Sequence, residues 1–313
     1  MKKLIARRMI FAIAMVIAAS ALAFAVVAAA PGNVAALIAE RIAGPSATAE
    51  LVRQIADDLG LNDPLPLRYL SWLNNAATGD FGSSLRSGKP ISEEFAQRLP
   101  VTATLIVCGG IIALVMSLSF GVLGAIDNGG IVDRLLRPVA LVSASAPNFF
   151  VAAILVLIFS VSLGWLPAFG TGSIGSWIMP SLSVALFPGA VLSRVVRINL
   201  QDTMSRPFAT TGFSKGFSRP AVLLREALPN IAVPFLTTFG AQLTLMIIGA
   251  IIVETVFALN GIGSFFIEVI RFRDFIGMQA VLLLFIAFSV SVNLVVDILC
   301  MFIDPQLRRR TNA

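Results

Sequence analysis

The recurrence of apolar runs long enough to cross a bilayer constrains this chain more than any other feature. A spanning helix needs about 20 predominantly apolar residues. Six candidates occur, at Met9–Ala30, Val101–Ile126, Val139–Leu163, Trp177–Ser193, Ile231–Val256 and Ala280–Ile303. Hydrocarbon offers no water to satisfy the backbone, so runs of this length must close their hydrogen bonds internally as helices. The expected fold is therefore an all-α polytopic membrane protein with six transmembrane helices. A mean hydropathy of +0.91 agrees, being far above what a soluble core requires. The fourth run is the shortest and carries Pro180 and Pro188. Such prolines are tolerated where neighbouring helices cover the freed backbone groups.

The first run follows Lys2, Lys3, Arg7 and Arg8, which could be the n-region of a cleaved secretory signal. The run exceeds an h-region of about 7–15 residues, so residues 1–30 read as a retained N-terminal anchor helix. Orientation follows from the cations. With the N-terminus inside, the inner segments hold 15 Lys and Arg residues and the outer segments 8. Six of those 8 lie in the long segment 31–100, where eight acids accompany them, and long loops count little in this rule. Both termini are thus expected in the cytoplasm. The net charge of +6 and pI near 10.1 come from cations at the ends of apolar runs. They point to the lipid bilayer as partner and not to nucleic acid.

The chain has no histidine, which excludes histidine catalysis, histidine metal sites and histidine pH switches. Cys108 and Cys300 lie inside apolar runs and read as buried inert thiols, although a single disulfide between them stays open at this point. No zinc-ligand spacing and no GxxxxGK[ST] phosphate loop occurs. Two acids sit within runs, Glu254 and Asp297. Both fall near span ends and read as helix-end carboxylates paired with a neighbour or with water. That weakens a proton-relay reading, which needs central charges.

The outer segment 31–100 is too long to be structureless. In "SATAELVRQIADDLG", Ser46 is a possible N-cap, Leu51, Ile55 and Leu59 recur every four residues, and Gly60 is a C-terminal stop. A short external helix is expected there, followed by a turn-rich "TGDFGSS" stretch. The turns "GDFGSS" and "NGIG" are glycine-rich and lack the helix start that a phosphate cradle needs.

Between the fourth and fifth runs lies "TTGFSKGFSRPAVLLREALPN", Thr210–Asn230. Lys215–Gly216 interrupts it, Ser218 can cap a new helix, and Pro220 suits a first turn. Leu223, Leu224, Ala227 and Leu228 give that helix an apolar face, and Pro229 disturbs its end. The expectation is two short helices hinged at Gly216. Residue chemistry alone leaves two readings open, an interfacial amphipathic pair or a docking surface for a cytoplasmic partner.

Resemblance to a family separates them. The segment resembles the cytoplasmic EAA loop of ABC-importer permeases, an EAA-like triplet followed by three residues, a glycine and a later proline. Here the triplet falls on Thr210, Thr211 and Gly212, the glycine on Gly216 and the proline on Pro234. The triplet has neither Glu nor Ala, Pro229 stands where a basic residue is usual, and Asn260 where a proline is usual. The likeness is to the dipeptide/oligopeptide permease branch and covers nearly the whole chain. It runs through Leu59–Ile91, "RLPVTATL", "SAPNFF", "LGWLPAFG", "VETVFALNGIG", "RDF" and "NLVVDILCMFIDPQLR" in the expected order.

The resemblance implies a type I ABC-importer permease (MetI-like) fold, with residues 31–100 as a periplasmic region and 101–313 as the core permease domain. It implies a coupling loop at about 206–230, with Thr210, Thr211, Gly212, Lys215, Gly216, Arg219 and Glu226 as its contact residues. It further implies a chain without catalytic activity or cofactor of its own, in a bacterial inner membrane. Its expected partners are a second homologous permease subunit, two cytoplasmic ATP-hydrolysing subunits that bind ATP and Mg, and a periplasmic substrate-binding protein. Di- and oligopeptides are the expected cargo; nickel complexes, glutathione, opines and oligosaccharides are alternatives within the same machinery. The substrate path cannot be assigned to residues from sequence. An ATPase-independent secondary transporter should show central charges or inverted repeats, and a membrane enzyme should show converging polar groups; neither pattern is present.

Overall fold

The computed structural model describes residues 2–30, 32 and 34–303, and among them every regular element is helical. Residues 304–308, the end of the quoted stretch NLVVDILCMFIDPQLR, lie outside these residues, as does the side chain of Thr210. The first span is α1 (Lys2–Ala28); the outer segment folds as α2 (Val34–Ala43), α3 (Ala49–Asp58) and α4 (Leu65–Ala77). Then come α5 (Ile91–Ile126), α6 (Ile131–Ser145), α7 (Asn148–Leu155, continued by a π-helical stretch Val156–Ser162) and α8 (Gly175–Met204). The inner segment forms α9 (Pro207–Ser214), α10 (Arg219–Val222), a π turn (Leu223–Ala227) and α11 (Leu228–Asn230). The chain closes with α12 (Ala232–Val256), α13 (Ile262–Arg271) and α14 (Phe275–Ile303).

Five single helices, α1, α5, α8, α12 and α14, are long and apolar enough to cross a membrane, and the pair α6–α7 makes a sixth span if counted together. That pair bends by 109° between Ser145 and Asn148, where the sequence reading had one straight span, Val139–Leu163. Pro147 is the cause. It has no N–H to continue the ladder, and it forces Ala146 into extended backbone (φ −79°, ψ 126°). The fourth span is longer than expected, because Pro180 and Pro188 lie inside a continuous helix and are both buried by neighbours.

The core of the bundle is the α5–α8 pair, and its sequence explains how close it is. Gly109, Ala113, Ser117, Gly121 and Ala125 recur every four residues on α5 and are all buried. A β-carbon on Gly109 would lie 2.5 Å from the Val184 side chain, and one on Gly121 would lie 2.6 Å from Val196 and 2.8 Å from the Ser193 carbonyl. Without a hydrophobic drive between helices in lipid, small residues allow the backbone approach that makes packing favourable. The same device joins α12 to α14, where a β-carbon on Gly240 would meet Val296 at 2.6 Å. Helix α1 packs on α14. Met9, Ile10, Phe11, Ile13 and Met15 stay exposed on it, a face suited to lipid.

In the segment between the first two spans, α3 is capped by Thr48, whose hydroxyl accepts the Leu51 amide at 3.2 Å; Ser46, the expected cap, sits in a 3₁₀ turn just before. Gly60 does end the helix, at φ +62°. Of the three predicted apolar positions, Ile55 is buried against Ala35 and Ala39 of α2, Leu51 packs partly, and Leu59 is exposed. Helix α13 lies against the outer end of α5 through Ile91, Phe95, Ile262, Phe265 and Val269.

Candidate functional site: the inner loop between α8 and α12

The segment 206–230 is two short helical pieces around a tight turn, as the sequence predicts. Pro207 opens α9, where its missing N–H costs nothing. The helix ends in a Schellman pair: the Phe217 amide donates to Gly212 O at 3.2 Å, and the Gly216 amide donates to Phe213 O at 2.9 Å. Gly216 holds the position between them at φ +82°, backbone that a side chain rarely adopts. Ser218 then supplies extended backbone for the start of α10, although its hydroxyl makes no cap bond, and Pro220 falls in the first turn.

One face of this loop is fixed to the bundle. Leu223 and Ala227 are buried with Ile231 and Phe235 against Leu192, Val196 and Leu200 of α8 and Ala125 of α5. Burying a leucine is worth about 1.5–3 kcal/mol, so the π turn is held firmly. Gly212 faces inward too, where an added β-carbon would lie 3.0 Å from Val222. The other face is open. Thr211, Lys215, Gly216, Arg219 and Glu226 are all exposed, and Gly212 is buried. Thr210 lies in α9 by its backbone.

Phe213 and Phe217 escaped the sequence reading; they are 42% and 40% exposed. Leu224, expected on an apolar face with Leu223, Ala227 and Leu228, is 48% exposed, while Leu223 and Ala227 are buried; these three lie in the π turn. The Arg225 guanidinium lies 6.0 Å from the Phe217 ring centroid, at the limit of a cation–π contact. Exposed apolar side chains and the exposed cations Lys215, Arg219 and Arg225 thus alternate along one short segment.

The acids singled out in the spans are structural. Glu254 has no solvent exposure; it accepts the Thr102 hydroxyl at 2.6 Å and the Ser264 amide at 2.9 Å. Thr102 in turn accepts the Ile262 amide at 2.8 Å, so the group ties α5, α12 and α13 together. Asp297 pairs with Arg8 of α1. Cys108 and Cys300 are both free thiols. Among the described residues no cluster of acids and cysteines could hold a metal ion.

Comparison with known proteins accounts for this arrangement. Residues 117–309 match the family described as binding-protein-dependent transport system inner membrane component, and residues 1–106 match its N-terminal companion family. A probable peptide ABC transporter permease of Sinorhizobium fredii is 36% identical over 312 residues, covering 97% of this chain and 98% of that protein. The glutathione transport system permease protein of Escherichia coli K12 is 35% identical over 289 residues, covering 92% and 93%. In fold, the chain resembles an inward-facing structure of the MetNI methionine ABC transporter, with a TM-score of 0.57 at 14% identity, over 69% of this chain and 99% of the other. The bundle is thus the MetI-like fold expected from sequence. This chain belongs to the binding-protein-dependent inner-membrane permease family and is a permease subunit of an ABC importer.

Proposed function

We propose that this permease moves small peptides inward, that the 206–230 loop is its contact with cytoplasmic ATP-hydrolysing subunits, and that it performs no chemistry itself. The observation that carries the loop assignment is the exposure of Phe213, Phe217 and Leu224 on a segment whose Leu223 and Ala227 are anchored against α5, α8 and α12. Aromatic and arginine side chains are the enriched constituents of protein contacts. A rigid back and an apolar front suit a surface that must be pushed without yielding. ATP and Mg would be bound by the partner subunits, in keeping with the absence of a phosphate loop in this sequence. Both termini would face the cytoplasm, and the outer helices α2–α4 and α13 would meet a substrate-binding protein.

Peptide cargo is supported by the relatives named for peptide and for glutathione, itself a tripeptide. A second, related permease would complete the path, since a route between two bundles suits a two-fold or pseudo-two-fold assembly. The test is uptake of radiolabelled di- and tripeptides into vesicles holding the assembled complex and its binding protein. Uptake should stop when hydrolysis in the ATPase subunits is blocked. Undiminished uptake under that block would make the chain a secondary transporter and refute the proposal.

A further inference from the structure

The turn between α5 and α6 holds a buried charge that nothing above uses. Asp133, in the first turn of α6, has no solvent exposure. Arg197 of α8 pairs with it: Nη2 donates to Oδ2 at 2.9 Å, and Nε lies 2.6 Å from Oδ1 as a charge contact outside hydrogen-bond geometry. The Gly129 amide donates to the same carboxylate at 2.9 Å, and Arg137, one helical turn on, donates as well. Asp127, at the end of α5, accepts the Val132 amide at 2.7 Å, which stiffens the turn from within. One turn further along α8, Gln201 donates to Asn128 of the turn at 2.9 Å. Gly124 of α5 leaves room for all this: a β-carbon there would lie 3.1 Å from Arg197 Cδ and 3.3 Å from Asp133 Oδ1.

The position of this knot gives it meaning. Arg197 sits on the same unbroken helix whose end, Met204, leads into α9 of the loop at Pro207. Asp133 sits at the start of α6, whose far end is the 109° bend into α7. Breaking a buried ion pair leaves an uncompensated charge, so the contact ties this end of α8 to the start of α6.

We propose that Asp133 and Arg197 are positioning residues that carry displacement of the 206–230 loop to the broken span α6–α7. The proposal rests on the loop being the ATPase contact. A neutral side chain at 133 would let α8 follow the ATPase while α6 lags, so ATP would be spent without transport.

The experiment uses the full complex in vesicles and reads peptide uptake and ATP hydrolysis together. In Asp133→Asn, the ATPase should stay bound and hydrolyse ATP, while uptake per ATP falls by roughly ten-fold. A mechanical link should restore the ratio. Cysteines at positions 128 and 201, whose native side chains touch, joined by a short thiol cross-linker in the Asp133→Asn chain, should recover most of the uptake per ATP. Arg197→Lys, which keeps the charge and loses the guanidinium's paired contacts, gives the same reading if Asp133→Asn does not assemble. An unchanged ratio would overturn the proposal. So would uptake and hydrolysis falling together with the amount of complex, or a cross-link without effect. Should the unaltered complex itself show uptake independent of ATP, the ATPase-contact reading fails, and not merely the role of this pair.

Discussion

Replacing Gly216 by valine tests the loop most sharply, because the structure supplies a matched control. Gly216 sits at φ +82° with no heavy atom within 4 Å of where a β-carbon would be. The substitution therefore creates no clash, and its whole cost is backbone strain. A side chain in left-handed backbone costs about 1–2 kcal/mol, more for a β-branched one. That lowers the population of the native turn by a factor of about 5–30. Gly129, in the turn between α5 and α6, has nearly the same conformation, φ +80°, and equally open space. Gly129→Val thus carries equal strain at a different inner turn. Both variants should insert normally, since neither position lies in a span. Gly216→Val should lose most ATPase co-purification and most peptide uptake, and Gly129→Val much less of the ATPase co-purification. Gly216→Asn, which tolerates left-handed backbone, should recover both readings. Normal docking and uptake in Gly216→Val, or equal loss of docking in Gly129→Val, would refute the idea that the Schellman turn presents the contact surface.

Two further outcomes are expected. Single cysteines at Ser83 and Ser218, both exposed, should react with an impermeant thiol reagent from opposite sides of the membrane, and labelling of both from one side would contradict the topology. Gly121→Ala should lower the thermal stability of the purified subunit by an amount in the range of about 1–3 kcal/mol for overpacking, because its β-carbon would meet the Ser193 carbonyl at 2.8 Å and a backbone atom cannot step aside. Gly172→Ala, in open space, should be neutral in the same unfolding measurement.

The spans were legible because a bilayer demands length and hydropathy, which any sequence displays openly. The bend at Ala146–Pro147 was written in a single proline, but apolar residues continue on both sides and hid it inside one long run. The hinge at Gly216 was legible because a glycine after a cation, followed by Phe-Ser-Arg-Pro, is a stop and a start in six residues. Phe213 and Phe217 were not, because they lie on either side of the Gly216 turn, and their exposure depends on how that turn sits on the bundle. The division of that apolar face into buried Leu223 and Ala227 and exposed Leu224 was not legible, because a π turn has no sequence signature. Asp133 was passed over because its partner Arg197 is 64 residues away, and spacing along the chain cannot bring them together. Glu254 was read as a paired helix-end carboxylate and is one, though its tie to Thr102 and Ser264 needed the fold.

The central claim is that the exposed front of the 206–230 loop touches an ATP-hydrolysing subunit. The most direct measurement is site-specific photocross-linking in the native membrane, with a photoreactive side chain in place of Phe217 and, as control, in place of Phe272, which is 51% exposed beside α13. The account predicts a covalent adduct between position 217 and the ATPase subunit, and none with that subunit from position 272. An adduct of position 217 with lipid alone, while the ATPase co-purifies, would show the loop to be an interfacial helix pair and contradict the account.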